Sequence, residues 1–170
     1  MPNNVYSSMT ITGAAADIKA FAEKHFDGSQ FDLSSFVSMP EELEGTTAPS
    51  KHPNPRLVEK YGFDNWYDWC IQNWGTKWNT YDGNADVMDE VIDCDFQTAW
   101  NLPVPIFEVM GKMYPTLTFN LTCVEEGGFF SGTLSIINGV VDTAGITNDS
   151  EQWKNMAADI LGWVVEEDDD

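Results

Sequence analysis

Carboxylates are the side chains through which this chain has most chemistry to offer. Asp82, Asp86, Asp89, Glu90, Asp93 and Asp95 fall within one stretch that holds no Lys or Arg. Such a set can bind a cation, shuttle a proton, or attract a basic surface. The run Asp82-Gly83-Asn84-Ala85-Asp86 places oxygen ligands at alternate positions, with Asp93 at the twelfth, as a calcium loop does. Val87 then stands at the sixth position, where that loop needs Gly for its sharp turn, and Asp93 is shorter than the usual bidentate Glu. The spacing therefore disfavours calcium. Asp93 and Asp95 instead alternate with Ile92, Cys94 and Phe96, which places both carboxylates on one side of a strand with Gln97. The expectation is an acidic, partner-binding face made by these six residues.

Nucleophiles are sparse. The chain has three cysteines, Cys70, Cys94 and Cys123, and two histidines, His25 and His52. An odd set without a Cys-x-x-Cys pair is neither a disulfide framework nor a zinc or iron–sulfur site. Cys70 falls on an apolar stripe, where a thiol is inert, and His25 ends an apolar helix face. No glycine-rich phosphate loop, nucleophile elbow or metalloprotease His pair is present. These features point away from an enzyme and assign no catalytic residue, metal or cofactor.

Charge narrows the partners. There are 28 Asp and Glu against 8 Lys and Arg, a net of -20. Nucleic-acid affinity comes from cations that displace counterions, so direct DNA or RNA binding is disfavoured, as is an anionic membrane. A basic protein surface is the complementary partner. Residues 1–5 show neither the basic nor the apolar region of a signal peptide, and no apolar run approaches the ~20 residues of a membrane span. The expected location is the cytoplasm.

The elements that must position these residues follow from periodicity. Val5, Met9 and Ile11 alternate with polar neighbours and predict a first strand. Ile18, Phe21, Ala22 and His25 share a helical face over 14–26. Residues 31–39 read as extended, with a helical turn at Glu41-Glu42-Leu43, and residues 44–62 read as a surface loop. Phe63, Trp66, Tyr67, Cys70 and Trp74 recur at helical spacing, with Asp64 as the expected N-cap, Gly75 as the stop, and Trp69 off the stripe. Residues 82–90 read as an acidic turn and Ile92 to Trp100 as a strand. A helix is expected to Met113, with Ile106, Phe107, Met110 and Met113 inward. Residues 116–144 predict an antiparallel meander with Asn138-Gly139 as a type I′ turn. Asp149 or Ser150 caps a last helix carrying Trp153, Met156, Ala157, Ile160 and Leu161.

The aromatic stretch Tyr61 to Trp78, YGFDNWYDWCIQNWGTKW, is the most distinctive segment. Its ordinary reading is a core anchor; its functional reading is an aromatic platform. The stretch resembles the signature of the YubB ferredoxin-like domain family, through Trp66, Trp69, Trp74, Gly75, Thr76, Lys77 and Trp78. Ser38-Met39-Pro40-Glu41-Glu42-Leu43 is similar to that family's Met-Pro-Glu-Glu-Leu element. The resemblance implies a ferredoxin-like fold on a phage- or plasmid-borne protein and supplies no catalytic residues.

The combined expectation is an α+β fold: a ferredoxin-like, antiparallel or mixed sheet of four to five strands, helices mainly on one face, and a Trp-rich helical excursion. It comprises one domain over 1–165 and an acidic tail at 166–170. The expected function is a non-catalytic accessory protein that binds a basic host protein, in the manner of a nucleic-acid mimic. Two alternatives stand beside it. One is a divalent-metal enzyme using surface carboxylates. The other is a structural or assembly factor whose acidity serves solubility.

Overall fold

In a computed structural model, which describes residues 1–163, the first alternation becomes strand β1 (Asn4–Thr12). Its Val5, Ser7, Met9 and Ile11 point into the core, and Tyr6, Ser8 and Thr10 point the other way. Helix α1 (Ala15–His25) buries Ile18, Phe21 and His25 against that core. A two-residue pairing of β2 (Phe26–Asp27) with β3 (Gln30–Phe31) turns the chain into a long excursion. This holds helical turns at Leu33–Ser35 and Glu41–Leu43, then α2 (Pro55–Tyr61) and α3 (Trp66–Asn73). The chain then returns as β4 (Tyr81–Val87), β5 (Val91–Ala99), α4 (Val104–Met113), β6 (Thr118–Glu125), β7 (Ser131–Ile137), β8 (Val140–Thr147) and α5 (Ser150–Leu161).

The main sheet has six strands in the order β4-β5-β1-β6-β7-β8, with every neighbouring pair antiparallel. Its first four strands, with α1 and α4, make the β-α-β-β-α-β ferredoxin-like arrangement. Strands β7 and β8 widen it. The count exceeds the expected four to five because residues 81–87 are a strand, where the sequence reads as a turn. Asp, Asn and Gly disfavour strands intrinsically. Here backbone pairing to β5 outweighs that preference, through a register shift between Tyr81 and Asn84. Both sheet edges are blunted. The Gln30 side chain accepts the Gly83 N–H (2.9 Å) beside β4, and Asp142 accepts the Ala144 N–H (2.9 Å) at an irregularity in β8. At the tip of the β7–β8 hairpin, Asn138 and Gly139 have φ of 52° and 78°, the type I′ geometry their sequence predicts.

Several local expectations are corrected. Helix α2 occupies part of the expected loop. Asn54 caps it, accepting from the Arg56 and Leu57 N–H groups, Pro55 opens it, and Gly62 ends it at φ 80°. Asn65, not Asp64, caps α3 by accepting the Asp68 N–H (2.9 Å). Asp64 instead ties the preceding loop, accepting from Ser50 Oγ (2.5 Å) and the Asn54 N–H (2.9 Å), which holds its carboxyl below the usual range. Trp69, off the helical stripe, keeps to expectation by packing on a second surface, buried edge-on against Trp74 at 5.5 Å between centroids. Met113 is exposed at the end of α4. As an exception to the expected placement of helices mainly on one face, helix α5 lies on the opposite sheet face from α1 and α4. There Ile160 approaches Tyr6 and Ser8, and Trp153 Nε1 donates to the Glu125 carbonyl (2.7 Å). The expected tail at 166–170 lies outside the described residues.

Candidate functional site

The register of the sheet assembles a surface that no single segment reveals. On the face away from α1 and α4, one row across all six strands reads Asp86, Asp93, Thr10, Asn120, Ser135, Asp142. The next row reads Asn84, Asp95, Ser8, Thr122, Thr133, Gly145. Each is exposed or half-buried. Five inter-strand steps of about 4.8 Å make each row about 24 Å long. A third row, Tyr81, Gln97, Tyr6, Val124, Ser131 and Thr147, runs beside and beneath α5. Helix α5 thus covers one margin and leaves the two polar rows open.

Electrostatics give this face its character. None of the six strands contains Lys or Arg. Asp86 and Asp93 are directly paired across β4 and β5, an arrangement that repels. The only side-chain hydrogen bond to either among the described residues is Thr10 Oγ1 donating to Asp93 Oδ1 at 2.7 Å. Asp82 joins the group through a left-handed residue, φ 49°, and lines a shallow depression with Tyr6, Ser8, Asp95 and Gln97.

The six predicted carboxylates therefore divide. Asp82, Asp86, Asp93 and Asp95 come together on the open face. Asp89 lies in the β4–β5 turn and lines a groove against α1 with Ala15, Lys19 and Glu23. Glu90 occupies the same turn, where its carbonyl accepts the Gly13 N–H (3.2 Å). Thr10, Asn120, Ser135 and Asp142 complete the face and were not singled out from the sequence. Their signal was the polar half of each strand's alternation; which strands lie side by side is not in that pattern.

The Trp-rich signature splits in the same way. Trp74 is buried and its Nε1 donates to the Val37 carbonyl (2.7 Å). Gly75 has φ 79°, and a Cβ there would lie 2.6 Å from Pro105 Cδ. Buried Thr76 Oγ1 donates to the Ala99 carbonyl (2.9 Å) and accepts the Ala99 N–H (3.1 Å), clamping the end of β5. Trp66 is half-buried. Trp78 is exposed and Lys77 half-buried, with exposed Trp100 beside them. In the Met-Pro-Glu-Glu-Leu element, Leu43 is buried, and Glu42 receives Lys60 Nζ (2.5 Å), Arg56 Nη2 (2.5 Å) and the Tyr61 hydroxyl (3.0 Å). The Lys60 and Tyr61 hydrogen bonds hold the Glu42 carboxyl below its ordinary range. Both family segments therefore serve chiefly to fix the excursion.

The thiols and imidazole are separated. Cys70, Cys94 and Cys123 are free and buried, and burial pushes them up to about 11, 12 and 12 respectively. His25 lies between Ser35 Oγ and the Tyr114 hydroxyl, both at 2.6 Å, and stacks on Phe36 at 3.8 Å. Ser35 Oγ spends its own proton on the Asp32 carbonyl, so His25 Nδ1–H donates to Ser35 and Nε2 accepts from Tyr114. Burial, with Lys24 nearby, lowers the His25 pKa to about 4. Among the described residues, no three His, Cys, Asp or Glu side chains converge in a metal-binding arrangement. No described helix is long and apolar enough to cross a membrane.

Comparison with known proteins adds the family. A family model described as the ferredoxin-like domain in Api92-like protein matches residues 73–161. This span runs from the end of α3 through α5 and includes the acidic strands β4 and β5. A crystal structure of a protein Api92 from Yersinia pseudotuberculosis is similar in fold, with a TM-score of 0.56 and 9% identity. The match covers 86% of this chain and 98% of that one. No curated protein matches. These findings bear out the ferredoxin-like part of the sequence resemblance and do not bear on the YubB name.

Proposed function

This chain belongs to the family of ferredoxin-like domains in Api92-like proteins, and on that premise we propose that it is a binding protein whose open sheet face docks on a basic protein surface. The observation that carries the reading is the juxtaposition of Asp82, Asp86, Asp93 and Asp95 on a rigid sheet whose strands hold no Lys or Arg. A solvated acidic surface kept only for solubility needs charge, and it can be spread anywhere. Here like charges are paired at a cost across β4 and β5. Carboxylates fixed on strands lose little freedom on docking, and their field accelerates encounter with a cationic partner.

The finer reading is an accessory protein of a phage or plasmid, acting in the bacterial cytoplasm, with kinship to YubB proteins. Its acidic face would occupy a basic groove on a host protein that otherwise takes nucleic acid. The support is the signature in residues 61–78 together with the charge of the open face.

The test is affinity capture from a bacterial lysate at low and high salt. Native protein is compared with the Asp82→Asn, Asp86→Asn, Asp93→Asn, Asp95→Asn variant. A basic protein retained at low salt by native chain alone supports the reading. Equal retention by both proteins contradicts it.

A further inference from the structure

Lys77 sits between two exposed indoles. Its Nζ lies 4.6 Å from the Trp78 ring centroid and 5.0 Å from that of Trp100. Each indole is 38% exposed. Among the described residues no carboxylate oxygen lies within 4 Å of Lys77, so the rings alone hold this cation. The aromatic surface continues on both sides. Tyr67 meets Trp100 edge-on at 6.3 Å, and Tyr81 meets Trp78 at 6.5 Å.

Tyr81 joins this strip to the acidic face. It pairs with Gln97 in the sheet, and its hydroxyl donates to Asn4 Oδ1 at 2.5 Å. Its pKa is raised by burial and by the nearby charges of Glu126 and Asp82. The indole pair and the carboxylates are thus parts of one continuous surface.

Trp100 is held there under strain. Its φ is 69°, a left-handed conformation that suits Gly and penalises a bulky side chain by roughly 1–3 kcal/mol. The surrounding structure enforces it. Thr76 fixes both backbone groups of Ala99, and the Trp100 N–H donates to the Asn3 carbonyl (2.9 Å). The strained backbone thus holds a ring that packs on Tyr67 and Lys77 yet stands partly in water. Exposed Trp and Tyr beside a charged field are the usual anchors of a protein interface.

We propose that Trp78 and Trp100 form a stacking site for an arginine side chain on an extended basic segment of the partner, which resting Lys77 occupies in the free protein. This rests on the acidic-face reading above and adds the residue type that is recognised. Arginine fits better than lysine because its guanidinium is planar and weakly hydrated, so it stacks on an indole at a smaller desolvation cost. Carboxylates also favour arginine through bidentate pairing, and the indoles supply the greater share of the preference.

The test uses two synthetic probes, a nona-arginine and a nona-lysine peptide, titrated against the full chain at low salt. Tryptophan fluorescence and calorimetry report binding. Native protein binds the arginine peptide about five- to tenfold tighter, the size of one or two cation–π contacts. In the Trp78→Ala, Trp100→Gly variant that preference falls below about twofold, while attraction to both peptides remains. Thermal unfolding of that variant verifies that it is folded before the affinities are compared, because losing two partly buried rings lowers the midpoint even as strain at residue 100 is released. Equal affinity for the two peptides, or a preference that survives loss of both indoles, overturns this inference and leaves the acidic-face reading intact. Failure of native protein to bind either peptide overturns the acidic-face reading itself.

Discussion

Asp86 on β4 and Asp93 on β5 stand directly opposite each other in the sheet, with no Lys or Arg on any strand to separate their charges. Facing like charges destabilise a strand pair by roughly 0.2–1 kcal/mol. Asp86→Asn is the clean change, because Asp93 also accepts from Thr10. The variant is expected to be more stable than native by that amount in urea unfolding at low salt. The difference should shrink in 0.5 M salt, where screening relieves the native pair. A variant less stable than native at low salt would show that the pair does not repel.

His25 predicts the acid response. Its folded pKa is about 4 against an ordinary value near 6.5, so the unfolded chain binds the extra proton more readily. Stability contributed by neutral His25 is fully present above about pH 6.5 and is lost as pH falls toward 4. The groups around it are Lys24, Asp32, Ser35 and Tyr114, with Phe21 and Phe36 against the ring. The loss attached to this residue is at most about 3 kcal/mol, the whole free energy of that shift. Urea titrations of native and His25→Gln protein between pH 7 and 4 check it. The native slope with pH should be the steeper over this window.

Thr76 predicts the cost of losing the clamp on β5. Thr76→Val keeps the shape and removes the hydroxyl that serves both Ala99 backbone groups. Two buried backbone groups then lack that partner, at a cost of about 1–3 kcal/mol. Because Ala99 precedes strained Trp100, the emission of the exposed indoles should shift as well. Denaturant unfolding with tryptophan fluorescence reads both effects.

The thiols predict a folding-dependent reactivity. Cys70, Cys94 and Cys123 are buried and their pKa values are raised by desolvation. At pH 8 a thiol reagent should label native protein far more slowly than unfolded protein and should reach three thiols only in denaturant. Rapid labelling of any one thiol in native protein would place it at an opening the structure does not show.

Much of this fold is legible in the sequence where periodicity is strong. β1, α1, α4 and the β6–β8 meander follow their alternation, and Asn138-Gly139 names its own turn. The failures have physical causes. β4 is written in Asp, Gly and Asn, residues that read as a turn, and becomes a strand only because β5 offers a ladder. Helix α2 is short and carried by its Asn54 cap, Pro55 and the Glu42 contacts more than by an apolar stripe. Trp69 is no failure: off the stripe, it packs on a second surface against Trp74. In the candidate site, Asp93 and Asp95 share the face that strand alternation assigns them. The alignment of Asp86 with Asp93, the departure of Asp89 into a groove against α1, and the approach of Trp100 to Lys77 all depend on tertiary pairing.

The central claim is that the open acidic face makes the productive encounter with a basic partner. The direct measurement is the association rate constant of the captured partner with native protein and with the Asp82→Asn, Asp86→Asn, Asp93→Asn, Asp95→Asn variant, at low and high salt. Native protein should associate at least about tenfold faster at low salt, and the two rates should converge as salt screens the face. Equal rates at low salt, with both proteins folded, would contradict the account.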